Sequence, residues 1–301
     1  MVKKSHAENT VGPWAKEKLD ALEKYLKYYC GVLKNKGFTL VYIDGFAGAP
    51  VTTVRQSLAS VPVSQVWADL GIDDFQDIQD FVLGSPIRSL NVNPGFDRHY
   101  FFDLDDRRVA ELERLKPIWP DKWVHVETGD ANQRIRKLVG QIGQKREVRG
   151  VAFLDPYGPN LEWQTIAALA TSKKFEVIIN LPIHMALNRL LIKDGARRPE
   201  QEAMIDSCFG TADWRDIVYP KITDLFGETQ TAKADGVSEM LLQLFMKRLR
   251  AIFPEVATPR LIRNTKNSPL YYLIWAGPNS KGLRGAEYIL GHREKLAKKN
   301  R

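Results

Sequence analysis

Five runs rich in β-branched and aromatic residues recur between residues 38 and 180, and each ends in a polar or glycine-rich turn. The first, Phe38–Ile43, ends in Asp44-Gly-Phe-Ala-Gly48, and the second, His99–Phe102, in Asp103-Leu-Asp-Asp106. Trp123–Val126 ends in Glu127-Thr-Gly-Asp130, Val148–Leu154 in Asp155-Pro-Tyr-Gly158, and Phe175–Asn180 in Asn180-Leu-Pro182. Helical patterns separate the runs. This alternation predicts an α/β fold with a doubly wound, mostly parallel sheet, since parallel strands need a crossover between them. Ligands of such sheets bind outside the carboxyl ends of the strands. Every polar cluster just named lies at one of those ends.

The helical patterns cover residues 14–36, 106–116, 131–142 and 161–170. In the first, Leu19, Leu22, Tyr25, Leu26, Tyr29 and Val32 recur at helical spacing and Gly37 stops the helix. Residues 49–97 are punctuated by Pro50, Pro62, Pro86 and Pro94 and read as an insertion with one or two short helices. Beyond residue 183 the chain turns helical at 183–193, 199–208 and 236–252. Two strand-like runs, Arg260–Arg263 and Leu270–Trp275, then flank Asn264-Thr-Lys-Asn-Ser-Pro269, with a helix at 284–298 behind them. They suit either an antiparallel hairpin that finishes the sheet or the wing of a winged-helix appendage. The expected organisation is an α/β domain at 1–188, with the insertion at about 49–97, and a basic, helical or winged-helix-like segment at 189–301.

Composition narrows the function. Hydrophobic residues make up 44% and charged residues 27%, an ordinary globular balance. No apolar run approaches a membrane span, and residues 1–10 lack the apolar core of a signal peptide. Cys30 and Cys208 are far apart and without metal spacing, which argues against a zinc site or disulfide framework and for a reducing cytoplasm. No metal is expected. Residues 1–188 carry 24 Lys/Arg against 23 Asp/Glu, whereas residues 189–301 carry 20 against 13. A polyanion-facing surface is therefore expected in the C-terminal third, through Arg197, Arg198, Lys247, Arg248, Arg250, Arg260, Arg263 and Lys266. The sequence contains no H-E-x-x-H, no G-x-S-x-G and no Walker A motif.

The strand-end clusters carry the chemistry. Asp44-Gly45-Phe46-Ala47-Gly48 lacks the G-x-G-x-x-G spacing that aims a helix at a pyrophosphate. A D-G-x-x-G loop offers a carboxylate and a close backbone instead. That suits S-adenosylmethionine, whose methionine end carries an ammonium for Asp44 to receive. An acidic residue ending the second strand can hold a ribose diol; Asp103 is the choice and Asp105 the runner-up, since Asp105 also suits a helix cap. Asp130 has the position to meet the adenine amino group, with Ala131 leaving room for the ring, and is equally an N-cap candidate. Asp155-Pro156-Tyr157-Gly158 resembles the (D/N)-P-P-(Y/F) loop of amino-group methyltransferases. In that loop the first side chain and the proline carbonyl accept from an exocyclic amine while the aromatic ring stacks on the base. Here Tyr157 takes the second-proline place and Gly158 the aromatic one.

Pro13-Trp14 opening a helix through Lys18, Leu19 and Tyr25, Tyr42-Ile-Asp-Gly-Phe-Ala-Gly48 and Phe153-Leu-Asp-Pro-Tyr-Gly158 together resemble the three-Cys-motif partner (TcmP) family. The resemblance extends through Asn180 and into Leu270-Tyr-Tyr-Leu-Ile-Trp275. It implies a methyltransferase-like fold, a winged-helix-like C-terminal segment and a partner protein with three cysteines, itself similar to radical-S-adenosylmethionine proteins. It also implies a cofactor role for residues 44–48, and it places Asp155, Pro156 and Tyr157 beside the reacting atom. The functional expectation is methyl transfer to nucleic acid, to an exocyclic base amine, working with that partner. The alternative is a non-catalytic module of the same fold that binds a protein or RNA.

Overall fold

The computed structural model describes residues 10–11, 13–54, 81–191, 198–223, 229–231 and 233–291. Strand β1 (Thr10–Val11) leads into helix α1 (Pro13–Leu33), followed by β2 (Thr39–Asp44). Within the insertion, β3 (Val51–Val54) and β4 (Phe81–Leu83) pair antiparallel, and β1 joins β3 to make a small three-stranded sheet. Helix α2 (Ser85–Leu90) is the short helix expected there, while residues 55–80 lie outside the described residues.

The alternation then proceeds through β5 (Arg98–Asp103), α3 (Asp106–Glu113), β6 (Trp123–Thr128), α4 (Ala131–Ile142), β7 (Val148–Leu154), α5 (Trp163–Ser172) and β8 (Phe175–Leu181). A π-helical turn, Ile183–Leu187, leaves β8. Helices α6 (Pro199–Phe209) and α7 (Trp214–Val218), the ribbon of β9 (Lys221–Thr223) and β10 (Thr229–Thr231), and α8 (Val237–Ile252) follow. The chain closes with β11 (Glu255–Val256), β12 (Arg260–Arg263), β13 (Pro269–Gly277) and α9 (Ser280–Leu290).

The central sheet has eight strands in the order β11-β13-β8-β7-β2-β5-β6, with β12 also paired to β13. Strands β6, β5, β2, β7 and β8 are parallel, and β13 runs antiparallel to β8. From β2 the chain winds outward through β5 to β6, then returns to the other side of β2 for β7 and β8. The direction of winding thus reverses between β2 and β7, where open α/β sheets form their ligand crevice. Of the two placements open for the C-terminal strands, the structure shows the sheet-finishing hairpin. Its β13 is hydrogen-bonded to β8 from Tyr272↔Leu181 to Ala276↔Val177. Strands β11, β12 and β13, all beyond residue 188, therefore complete the same sheet, while β9 and β10 form a separate antiparallel ribbon.

Both faces of this sheet are covered, which is why its strands read as continuous apolar runs. On one face Tyr42, Phe101, Phe153, Ile178, Leu273 and Trp275 pack against α1 and α9. On the other, Ile43, Phe102, Ala152, Leu154 and Ile179 pack with Ile135 of α4, Ile166 of α5 and Phe245 of α8. Helix α1 runs opposite to the parallel strands. Its Lys18 reaches Asp155 at their carboxyl edge, while Lys34 meets Asp97 just before β5.

Between those points Tyr25 donates to the buried Glu176 at 2.5 Å, and Trp275 and Asn279 approach the same carboxyl at 3.4 and 3.3 Å. One side chain of β8 so ties α1, β13 and α9 together. Burial pushes the Glu176 carboxyl up to about 7, against the pull of these three hydrogen bonds. A carboxyl raised on folding contributes stability that is full below its unfolded pKa and lost as pH rises through the folded one. The melting temperature should accordingly fall between about pH 4.5 and pH 7, and Glu176→Gln should roughly halve that fall, because Asp44 titrates in the same window. A variant with the full wild-type decline would refute this account of Glu176.

Candidate active site

The reversal point brings Asp44 and Asp155 to neighbouring strand ends. Asp44 closes β2 level with Phe101 on one side and Phe153 on the other, and is wholly buried. Tyr42 donates to its Oδ2 at 3.2 Å, and the Ser85 hydroxyl at the start of α2 is near enough to favour the ionised carboxyl. Its Oδ1 has no hydrogen-bond partner among the described residues. Burial pushes this carboxyl up to about 7; Ser85 pulls it back, and the charge of Asp155 pushes it up again. A buried carboxyl with an unpaired oxygen is costly for a fold to keep unless a donor arrives to fill it.

The loop after Asp44 is pinned from beneath. The amides of Gly45, Ala47 and Gly48 donate to Phe153 O, Phe102 O and Asp103 Oδ2. With those donors committed to neighbouring strands, the loop is no phosphate cradle. The two glycines have different causes. A Cβ on Gly45 would stand 2.7 Å from Ile135 Cδ1, so this glycine admits α4 against the sheet. Gly48 has open space but a φ of +66°, the left-handed turn that glycine permits. Phe46 is half-buried and Ala47 is buried, both within the packing of the two sheet faces.

Asp103 ends β5 almost fully buried. Its Oδ1 accepts from Asp105 N and its Oδ2 from Gly48 N, both at 2.9 Å, with Arg108 3.7 Å away. A carboxylate has about four lone-pair sites, so capacity for a diol remains. Asp105 is the cap of α3, accepting from Arg107 N, and that bond holds its carboxyl below the usual range. Asp130 caps α4 through Gln133 N, and Ala131 is buried under that cap.

Asp155, one residue past β7, is clamped from two sides. Its Oδ2 forms an ion pair with Lys18 of α1, and its Oδ1 accepts from Asn180 Nδ2 at 2.6 Å. Lys18 is itself buried, with its ammonium 5.4 Å from the Tyr271 ring centre and 5.9 Å from that of Phe153. Pro156 is buried beside it, and Tyr157 stands 89% exposed. Sequence reasoning missed Ser85 and gave no role to Asn180. It named Lys18 only as part of a motif. An exposed Leu104, between two aspartates at the end of β5, went unremarked as well.

The basic residues divide. Arg198, Lys247, Arg250, Arg263 and Lys266 are exposed, whereas Arg197 lies outside the described residues. Arg260 is largely buried in an ion pair with Glu17, and Arg248 lies over the Trp163 ring and donates to Gly210 O. Those two are engaged within the fold. Among the described residues there is no group of three metal-ligating side chains, and no helix is long and apolar enough to cross a membrane.

No family model matches the sequence, and no curated protein does. Solved structures do. The protein LPL1258 from Legionella pneumophila, of family DUF519, superposes with a TM-score of 0.50 at 15% identity, over 95% of this chain and 94% of that one. The bifunctional kinase-methyltransferase WbdD gives 0.39 at 12% identity, over 88% of this chain and 40% of its own. The pyocyanin biosynthetic protein PhzM gives 0.31 at 10%, over 84% and 54%. The last two scores are too low for a shared fold to be read from them. The first shows a shared fold, and the strand order with the reversed β13 makes that fold a mostly parallel, doubly wound Rossmann-like sheet.

Proposed function

We propose that this chain is an S-adenosylmethionine-dependent methyltransferase that acts on nucleic acid. The observation that carries the cofactor is Asp44 Oδ1, buried, unpaired and set at the point where the sheet reverses. An ammonium suits it, and the methionine end of the cofactor has one. Asp103 would hold the ribose diol, and Asp130 and Leu104 would border the adenine. When bound, S-adenosylmethionine supplies an electrophilic methyl group. The chain's part is positioning: Asp155 and the Pro156 carbonyl orient an accepting amine, and Tyr157 offers a ring for a base to stack on. The motif resemblance to the three-Cys-motif partner family supports a cysteine-bearing partner in this work.

One observation favours the non-catalytic alternative: both oxygens of Asp155 are already bonded within the chain. Titration calorimetry with S-adenosylmethionine decides first, followed by transfer of labelled methyl to bulk tRNA, rRNA and DNA, with and without the partner. Failure to bind the cofactor would leave the binding-module reading standing.

The exposed cations support a polyanionic substrate. Neutralised phosphates release counterions, so affinity for nucleic acid should fall steeply as salt rises. Replacing Arg263 and Lys266 by alanine should flatten log K against log salt by about 1.4–1.8 units, at about 0.7–0.9 per lost phosphate contact. Arg260→Ala should leave the slope alone, since Glu17 already holds that guanidinium. An unchanged slope in the double variant would make the hairpin a solvated surface.

A further inference from the structure

The amide of Asn180 is half engaged. Its Nδ2 donates to Asp155 Oδ1, and a carboxylate can only accept, so the amide cannot be reversed without facing two acceptors together. Its Oδ1 must therefore point elsewhere. That oxygen is buried, on a residue only 5% exposed, and has no hydrogen-bond partner among the described residues. Asp44 Oδ1 is in the same condition. Asp44 is level with Phe153 and Phe153 with Ile178, so Asp44 and Asn180 stand two strands and two residues apart. At about 4.8 Å per strand and 3.3 Å per residue, roughly 12 Å separates their Cα atoms. Two buried oxygens thus stand without donors at the carboxyl edge of the sheet, on strands that flank the one leading to Asp155.

We propose that Asn180 Oδ1 receives an N–H of the methyl-accepting group, so that the acceptor is an amino group carrying at least one hydrogen. This rests on the methyltransferase reading above. A hydroxyl acceptor has one proton, which a base must remove as it reacts. An amide oxygen is no base, and Asp155 is already held by Lys18. An amino group donates to Asn180 and keeps its lone pair for attack. The nitrogen–carbon bond forms as the carbon–sulfur bond breaks, the bonding pair goes to sulfur, and the surplus proton on nitrogen leaves to water. Asn180 touches the acceptor and Asp155 both, which sets it apart from a residue that only positions the loop.

The test uses the full chain, S-adenosylmethionine labelled in the methyl group, and whichever bulk polymer is methylated, digested to nucleosides. The label should sit on an exocyclic nitrogen. Asn180→Ala should lower kcat/KM for the polymer tenfold or more, while the cofactor Kd stays within about twofold and certifies the fold. Because alanine also removes a clamp on Asp155, the same change is made in an Asp155→Asn background. A residue working only through Asp155 would then cost nothing further, whereas direct contact repeats the loss. Label on carbon or oxygen, a weakened cofactor Kd, or no further loss in the double variant would each overturn the proposal and leave the methyltransferase reading intact. Cofactor binding without transfer to any polymer would overturn both.

Discussion

Asp44→Asn is expected to weaken S-adenosylmethionine binding by about 10- to 150-fold, the 1.5–3 kcal/mol of a hydrogen bond to a charged group. The substitution is nearly isosteric. Asparagine can still accept from Tyr42, so the fold should survive while the charge is lost. The wild-type chain should also show a pH dependence that the variant lacks. Burial holds the Asp44 carboxyl at about 7, and an ammonium is received by its ionised form. Cofactor binding must then expel a proton in acid solution, and the apparent Kd should weaken by about tenfold per pH unit below 7. Above pH 7 it should level off until the cofactor's own α-ammonium begins to lose its proton at about pH 8. Calorimetry in two buffers of different ionisation enthalpy reads the released proton directly. Affinity in Asp44→Asn equal to wild type at pH 8 would remove Asp44 from the cofactor site.

The parallel strands were legible because they are buried on both faces, which leaves an apolar run with a polar stop. Val148–Leu154 was located to the residue for that reason. The stops gave the site its carboxyl groups, since Asp44, Asp103 and Asp155 each stand where a strand must hand over to a turn. What pairs with them was hidden. Lys18 meets Asp155 across 137 residues, and nothing local in either segment announces the contact. Ser85 comes from an insertion whose periodicity is weak. Gly45 suggests a backbone that a ligand can approach closely, but what a Cβ there would meet is Ile135.

At the other end of the chain the pattern predicts a helix from residue 284, whereas α9 starts at Ser280 and takes Gly282 and Gly285 into its first turns. Both are there for close packing. A Cβ at Gly285 would lie 2.0 Å from Tyr28, and one at Gly282 would lie 2.4 Å from Glu176. Charge counting erred in a similar way. It weighs every arginine alike, whereas Arg260 and Arg248 are engaged with Glu17 and Trp163, and only the fold shows which cations face water.

Asp155→Ala should abolish methyl transfer while leaving cofactor affinity nearly intact, the pattern of a residue acting at the chemical step. Stability has to be separated from chemistry in this variant. Lys18 is 8% exposed, and deleting its partner strands an ammonium in the core between Tyr271 and Phe153. Breaking a buried pair from one side costs about 3–5 kcal/mol, less here because the Asp155 side chain is 23% exposed. A drop in melting temperature is thus expected from the single variant. Lys18→Met combined with Asp155→Ala removes both charges and should recover most of that loss, since an apolar pair of similar volume is often no less stable than a buried salt bridge. The combined variant should bind S-adenosylmethionine and still transfer no methyl. Recovery of transfer along with stability would mean that Asp155 serves only to neutralise Lys18, and Asp155-Pro-Tyr-Gly158 would then be a turn at the end of a strand.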